Sequence, residues 1–384
     1  NTDNTVTVAT PNENHVAFLS MAGVGKTYAA SYAFDNVIFR RGGNMVIGEP
    51  LSVPGILQLA ENARLSHYGA TPSLDVGLHL DLTLGTLLID NTSRIDVSGR
   101  GYPGSPGSSQ PFGYTVGNAL GSDQGTGGSY GGQGGRYQGN YMPGLTYGDP
   151  RLPRLLGSGG GQWGSNAGGA GGGRVEIHAS QAVLVDGAIR ANGGMGSGSA
   201  SGLGSGGSVL IVTSRLAGGG FITADGGSKV SGGPDGVGGG GGRVALYGDY
   251  LDSNADFSGL RNVTAFRGRG NYDQYAGAGS GSVYVNIGNA PYGDLYVDDG
   301  MADAQGNLTG TGPESPVLPH VGLGVTSGAT LDTLTTDRQV PLLAGGLSGL
   351  RINPDVNQGE TFLVVGNTDN TVTVATPNEN HVAF

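Results

Sequence analysis

The sequence predicts an all-β fold: a parallel β-helix or solenoid with long glycine-rich loops and a β-hairpin junction segment. Three observations lead there. Short runs rich in Val, Ile and Thr carry aliphatic residues at every second position, the period of a strand. These runs recur at near-constant spacing with glycine at their ends. No stretch has the 3.6-residue period of a long amphipathic helix; residues 22–33 are Ala-rich, but Gly23 and Gly25 weaken a helix there.

The first element is a junction segment, residues 1–40. Residues 1–18, NTDNTVTVATPNENHVAF, return letter for letter at 367–384. Eighteen identities in a row exceed chance, and self-similarity at a fixed period marks repeat architectures. The chain reads as one full repeat plus the first eighteen residues of the next. That fits a window on a covalent tandem array, or a subunit whose terminal strand fills the matching slot in a neighbour. An accidental copy at the chain end is the plainer alternative.

Residues 41–310 form the expected solenoid body. GILQLAENARLSHYG (55–69) aligns with GTLLIDNTSRIDVSG (85–99) at a constant offset of 30. Leu57 then matches Leu87, Leu59 matches Ile89, Arg64 matches Arg94, and Leu65 matches Ile95. A looser cycle begins at 172 (GGRVEIHAS), 206 (GGSVLIVTS), 241 (GGRVALYG) and 279 (GSGSVYVN). Each has a second short strand ending near glycine, at 189–193, 222–226 and 295–300, like 95–99. A single such copy leaves its aliphatic face and backbone edges unsatisfied, and neighbours roughly 4.8 Å away satisfy both. Val175, Ile177, Val209, Ile211, Val244 and Leu246 should therefore form interior ladders. The glycine segments between strands, the longest within 99–156, are expected to be ordered against one flank, because glycine runs can associate backbone to backbone as extended helices.

Residues 311–384 hold a proline-broken linker and the second junction strand. TFLVV (361–365) and TVTVAT (371–376) flank the polar turn 367–370, a hairpin signature. The strand at 371–376 thus has a partner in its own chain. Its N-terminal copy at 5–10 lacks one, and residues 361–366 of a preceding unit would supply it. The expected assembly interface is Thr5, Val6 and Val8 with Phe362, Val364, Val372 and Val374.

Composition narrows function. Of 384 residues 79 are glycine, which suggests collagen or disorder, yet there is no Gly-X-Y period and strand-forming runs abound. Cysteine is absent, so no disulfide, thiolate metal site or cysteine nucleophile exists. A net charge of -11 argues against a nucleic-acid or anionic membrane partner. No apolar run approaches the ~20 residues that span a bilayer. The missing initiator Met and signal peptide fit an internal window of a longer exported precursor.

Residues 20–27 (SMAGVGKT) resemble a phosphate-binding loop, but Ser20 stands where that loop needs glycine, and no helix pattern follows. A turn between strands suits them better. Asp294, Asp298, Asp299 and Asp303, and Asp249, Asp252 and Asp256, are candidate Ca²⁺ ligands without an established calcium-loop spacing; Asp is also a routine turn former. No other cofactor is expected. Asp90, Asp96 and Asp186 are the acids a polysaccharide-cleaving enzyme would use, but they fall one per turn, so no catalysis is expected. The six histidines show no metal-ligand spacing. The sequons at Asn91, Asn262 and Asn307 read as turns, and an isopeptide through Lys26 or Lys229 has no support. Tyr102, Tyr114, Tyr130, Tyr137, Tyr141, Tyr147 and Trp163 either bind surface glycans or fill the space glycine leaves, and the second suits them better.

From Gly85 to about Tyr250, IDVSGRGYPG, LGSGGG, GGAGGGRVEIHAS, VDGAIRANGG and GGGGGRVALYG resemble the glycine-rich β-solenoid repeats of giant bacterial surface and secreted proteins. The resemblance covers under half the chain and implies an exported, structural or adhesive role with no catalytic residues. The expected function is a structural repeat unit of an extracellular filament or surface fibre, with identical copies as partners. The alternatives are a carbohydrate-binding adhesin stalk and, less favoured, a polysaccharide-cleaving enzyme.

Overall fold

The computed structural model describes residues 5–8, 18–20, 32–72, 79–107, 110–228, 236–251, 262–272, 277–288, 292–298, 300, 326–336, 345, 347, 351–352, 354 and 362–375. The chain divides into two compact units, Asn1–Val321 and Gly322–Phe384.

The first unit opens with β1 (Thr5–Val8), β2 (Phe18–Ser20), β3 (Tyr32–Ala33), β4 (Asn36–Phe39) and β5 (Asn44–Ile47). Next come β6 (Leu51–Leu59), β7 (Arg64–His67), β8 (Leu80–Ile89) and β9 (Arg94–Asp96). After a long excursion follow β10 (Arg174–Val185), β11 (Ala188–Arg190), β12 (Ser201–Gly202), β13 (Ser208–Ala217) and β14 (Phe221–Thr223). The unit ends with β15 (Gly236–Val237), β16 (Arg243–Leu251), β17 (Val263–Thr264), β18 (Ser282–Ile287) and β19 (Asp294–Tyr296). A 3-10 turn at Val116–Asn118 is the helical structure among the described residues.

From β4 to β18 the longer strands alternate between two sheets. One is ten-stranded, ordered β1-β4-β6-β8-β10-β13-β16-β18-β19 with β3 beside β6; the other is seven-stranded, β17-β14-β11-β9-β7-β5-β2. Pairing is parallel throughout, except that β19 folds back antiparallel on β18. The offset of 30 is the register itself: Leu57 stands opposite Leu87, Leu59 opposite Ile89, Arg64 opposite Arg94 and Leu65 opposite Ile95. The later cycles also align, as Val175, Val209, Val244 and Val283 in one row and Ile177, Ile211, Leu246 and Val285 in the next. These residues, with Met45, Ile47, Leu65, Ile95, Ile189 and Ile222 from the seven-stranded sheet, form one buried cluster. Like residues in register put equal volumes side by side, which lets the core stack without voids.

Among the described residues the glycine-rich segments are largely buried. Their amides are satisfied in three directions with a three-residue period. In 202–207, Gly202 and Ser205 donate to Gly161 and Ser158, Leu203 and Gly206 to Val237 and Gly240, and Gly204 and Gly207 to Gly194 and Ala191. That is the pattern of extended helices with three residues per turn, bonded laterally because they hold no internal hydrogen bonds. Glycine is needed at the contacts: a Cβ at Gly202 would overlap Thr126 O, and one at Gly204 would overlap Ala170 O.

The second unit is antiparallel. It contains β20 (Thr326–Ala329), β21 (Thr333–Thr336), β22 (Arg351–Ile352), β23 (Phe362–Asn367) and β24 (Thr371–Val374), in the order β20-β21-β24-β23-β22.

The chain is therefore mostly sheet, but it is not a single parallel β-helix or closed solenoid. Its strands belong to several sheets: the ten-stranded mixed one, the seven-stranded parallel one, a two-stranded pair β12-β15, and the antiparallel five-stranded sheet. The glycine segments explain part of the difference. They bond in three directions instead of joining one neighbour's edge, so no sheet wraps around the core. The second strand expected at 295–300 also departs from the cycle: Asp294–Tyr296 returns to the ten-stranded sheet as its exposed antiparallel edge.

Candidate functional site: the repeated strand

The same four residues, Thr-Val-Thr-Val, occur as β1 and as β24. Their alternation gives either strand one valine face and one threonine face. In the first unit β1 is the terminal strand of the ten-stranded sheet and pairs parallel with β4, Thr5 opposite Asn36, Val6 opposite Val37, Thr7 opposite Ile38 and Val8 opposite Phe39. The N-terminal copy thus has a partner in its own chain, contrary to the expectation of an unpaired strand. The residues of β4 opposite Val6 and Val8, Val37 and Phe39, are buried.

In the second unit β24 is an inner strand between β21 and β23. The turn that makes the hairpin is closed by Thr368, whose N–H donates to Thr371 C=O at 3.0 Å and whose Oγ1 lies 2.6 Å from Thr371 Oγ1. Val364 stands opposite Val374, and Val364, Val372 and Val374 are buried, while Phe362 is half-buried. Of the predicted interface, Phe362, Val364, Val372 and Val374 thus share one sheet, and Thr5, Val6 and Val8 lie on another. Residues 9–10 and 361 lie outside the described residues.

The other sequence candidates are dispersed. Asp294 is exposed on β19, and Asp298 Oδ1 accepts the Gly300 N–H at 2.9 Å, a turn contact. Asp252, Asp256, Asp299, Asp303, Lys26 and Lys229, with residues 21–27 of the loop-like motif, lie outside the described residues. Among the described residues no group of three or more His, Asp or Glu is placed to hold a metal ion. The corner acids cap neighbouring turns: Asp90 Oδ2 accepts Glu61 N–H at 2.8 Å, and Asp186 Oδ1 accepts Gly219 N–H at 3.1 Å. Asp96 is 3.3 Å from Arg64 and 3.5 Å from Arg94.

Two clusters escaped the sequence reading. On β10, Arg174, Glu176 and His178 alternate on one face. Glu176 also meets Arg154, at 2.7 Å, and His178, at 2.9 Å. Burial opposes ionisation of Glu176, yet hydrogen bonds from His178 and Arg174 and the charges of Arg174 and Arg154 bring its pKa down to about 2. The alternation in GGRVEIH was the available signal; Arg154, twenty-two residues away from Glu176, was not. The second cluster centres on Arg243, fully buried. Its Nε and Nη2 donate to Tyr147 C=O at 3.1 and 2.9 Å, and its guanidinium lies 5.5 Å from the Tyr130 ring centre. Tyr130 and Tyr147 are themselves fully buried, and Tyr102 nearly so, so these tyrosines fill space over the glycine segments. Tyr137, Tyr141, Trp163 and Tyr272 form a half-buried edge-to-face group, with Tyr137 and Trp163 centred 4.8 Å apart.

Among the described residues no helix is long and apolar enough to cross a membrane. No protein-family model, curated protein or solved structure matches this chain.

Proposed function

We propose that this chain is a structural, non-catalytic repeat unit of an extracellular filament or surface fibre, whose copies continue one another's β-sheets. The observation that carries the reading is the duplicated strand: among the described residues, Thr-Val-Thr-Val is the end strand of the mostly parallel ten-stranded sheet and an inner strand of an antiparallel one. An edge strand presents unpaired N–H and C=O groups, which invite pairing with another chain. Here a matching strand is encoded in the same sequence. The glycine-rich repeat grammar, similar to that of giant bacterial surface proteins, and the net charge of -11 support an exterior location.

The test is self-association of the purified full chain. Light scattering should show mass growing with concentration, and negative-stain images should show fibres of one regular repeat. A single species of constant mass at all concentrations rejects the reading. A denaturing gel of material from its source separates a covalent array from individual subunits. Binding to surface glycans is the second reading, favoured by the Tyr137, Tyr141, Trp163 and Tyr272 group. Glycan-array binding that Trp163→Ala abolishes would support it, and binding unaffected by that change would reject it.

A further inference from the structure

The repeated segment meets its two sheets through different edges. Along a strand, the N–H and C=O of one residue face one neighbour, and those of the next face the other. In β24 the even-numbered residues face β21: Val374 N–H donates to Asp332 C=O at 2.8 Å, and Asn370 C=O accepts Thr336 N–H at 2.8 Å. The odd-numbered residues face β23, where Ala375 N–H donates to Leu363 C=O at 2.8 Å. In the first unit, Phe39 C=O accepts Ala60 N–H at 2.8 Å on the β6 side. Val37 and Phe39 therefore turn their backbone groups to β6, and Asn36 and Ile38 turn theirs to β1. With Thr7 opposite Ile38, Val6 and Val8 bond back to β4, and Thr5 and Thr7 face the outer edge of the sheet. Val6 and Val8 are the counterparts of Val372 and Val374. So β4 and β21 use the same edge of the segment, and β23 uses the other.

We infer that this segment is a strand shared between two copies of the chain. Thr371–Val374 of one copy keeps β23 on its odd-numbered edge. Its even-numbered edge docks on β4 of a second copy, in place of that copy's Thr5–Val8, and the β20–β21 hairpin gives way. The exchange asks nothing of β4, because the incoming residues are identical to those it already pairs with. Val372 and Val374 arrive opposite the buried Val37 and Phe39, so the valine face stays inside. The exchange replaces the four residue pairs between β1 and β4 with four identical ones, so what it gives up is the three residue pairs between β21 and β24. The neighbour of β21 on its far side, β20, is exposed along its whole length. This inference rests on the self-assembly reading and specifies its joint.

The experiment mixes two full-length chains, one carrying Ile38→Cys and the other Thr373→Cys; the natural chain has no cysteine. Thr373 is the counterpart of Thr7, which stands opposite Ile38. The expected result is a two-chain band, lost on reduction, well in excess of what either variant forms alone. A second variant, Thr333→Cys with Thr373→Cys, joins opposite residues of β21 and β24 whose Oγ1 atoms lie 3.2 Å apart. Its oxidised form should lose association and regain it on reduction. In the unsubstituted chain, hydrogen exchange should show 333–336 losing protection on association while 36–39 keep theirs. Association that proceeds with β21 protected and without the 38–373 cross-link overturns the shared strand and leaves self-assembly standing. A chain that stays single at every concentration removes both.

Discussion

His67 is fully buried, with Nδ1 donating to Tyr68 C=O at 2.6 Å and Nε2 accepting the Arg174 N–H at 3.1 Å. Burial, aided by nearby His79, Arg100 and Arg174, holds its pKa down at about 3 against 6.5 in an unfolded chain. The unfolded chain therefore binds a proton over that interval that the folded chain refuses. Stability is full above pH 6.5 and falls towards pH 3, by about 1.4 kcal/mol per unit from this group. His67→Gln should remove one proton's worth of that slope, measured by denaturant unfolding across the interval; an unchanged slope would contradict it. Glu176 acts in the same direction but lower. Its carboxyl is held at about 2 against 4.5, so its contribution is present above 4.5 and lost as pH falls towards 2. Glu176→Gln should cost about 1.5–3 kcal/mol at neutral pH, the range for hydrogen bonds to charged groups, with the difference from wild type vanishing near pH 2. Gly204→Ala should cost about 1–3 kcal/mol, because the added methyl meets Ala170 O. Gly69→Ala, whose Cβ would find ordinary contacts, should stay within about 0.5 kcal/mol in the same unfolding assay.

The elements differ in how plainly they are written. The strands at 57–59, 87–89 and 175–177 announce both their type and their register, because like residues recur at a fixed offset and parallel stacking sets them opposite one another. The seven-stranded sheet was legible at Ile95, Ile189 and Ile222, yet Val263–Thr264 carries too short a run to signal a strand. The sequence set the long excursion within 101–156 against one flank but did not show what anchors it. It is held by Tyr130 and Tyr147 around Arg243, contacts roughly a hundred residues apart in the chain, as between Arg243 and Tyr147. Arg243→Met should leave Tyr147 C=O unpaired, destabilise by about 1–3 kcal/mol, and expose 137–145 to limited proteolysis that the wild-type chain resists. Equal digestion of both chains would show that the excursion is anchored elsewhere.

At the scale of the whole molecule, the repeat pattern settled what kind of structure forms, and long-range contacts settled how its parts join. Alternation, glycine punctuation and in-register offsets are local or periodic signals, so the all-β character, the paired ladders and the hairpin at 362–374 could be read directly. The single parallel β-helix that the same signals predicted is not what forms, because whether a glycine segment joins a sheet or bonds sideways depends on which other segments reach it. The duplicated strand makes the reason plain. Identical residues pair parallel with Asn36–Phe39 in one unit and antiparallel with Thr333–Thr336 and Phe362–Asn367 in the other. Four residues of strand propensity fix an extended backbone with a valine face; the direction and identity of the neighbour come from whichever edge the rest of the fold presents.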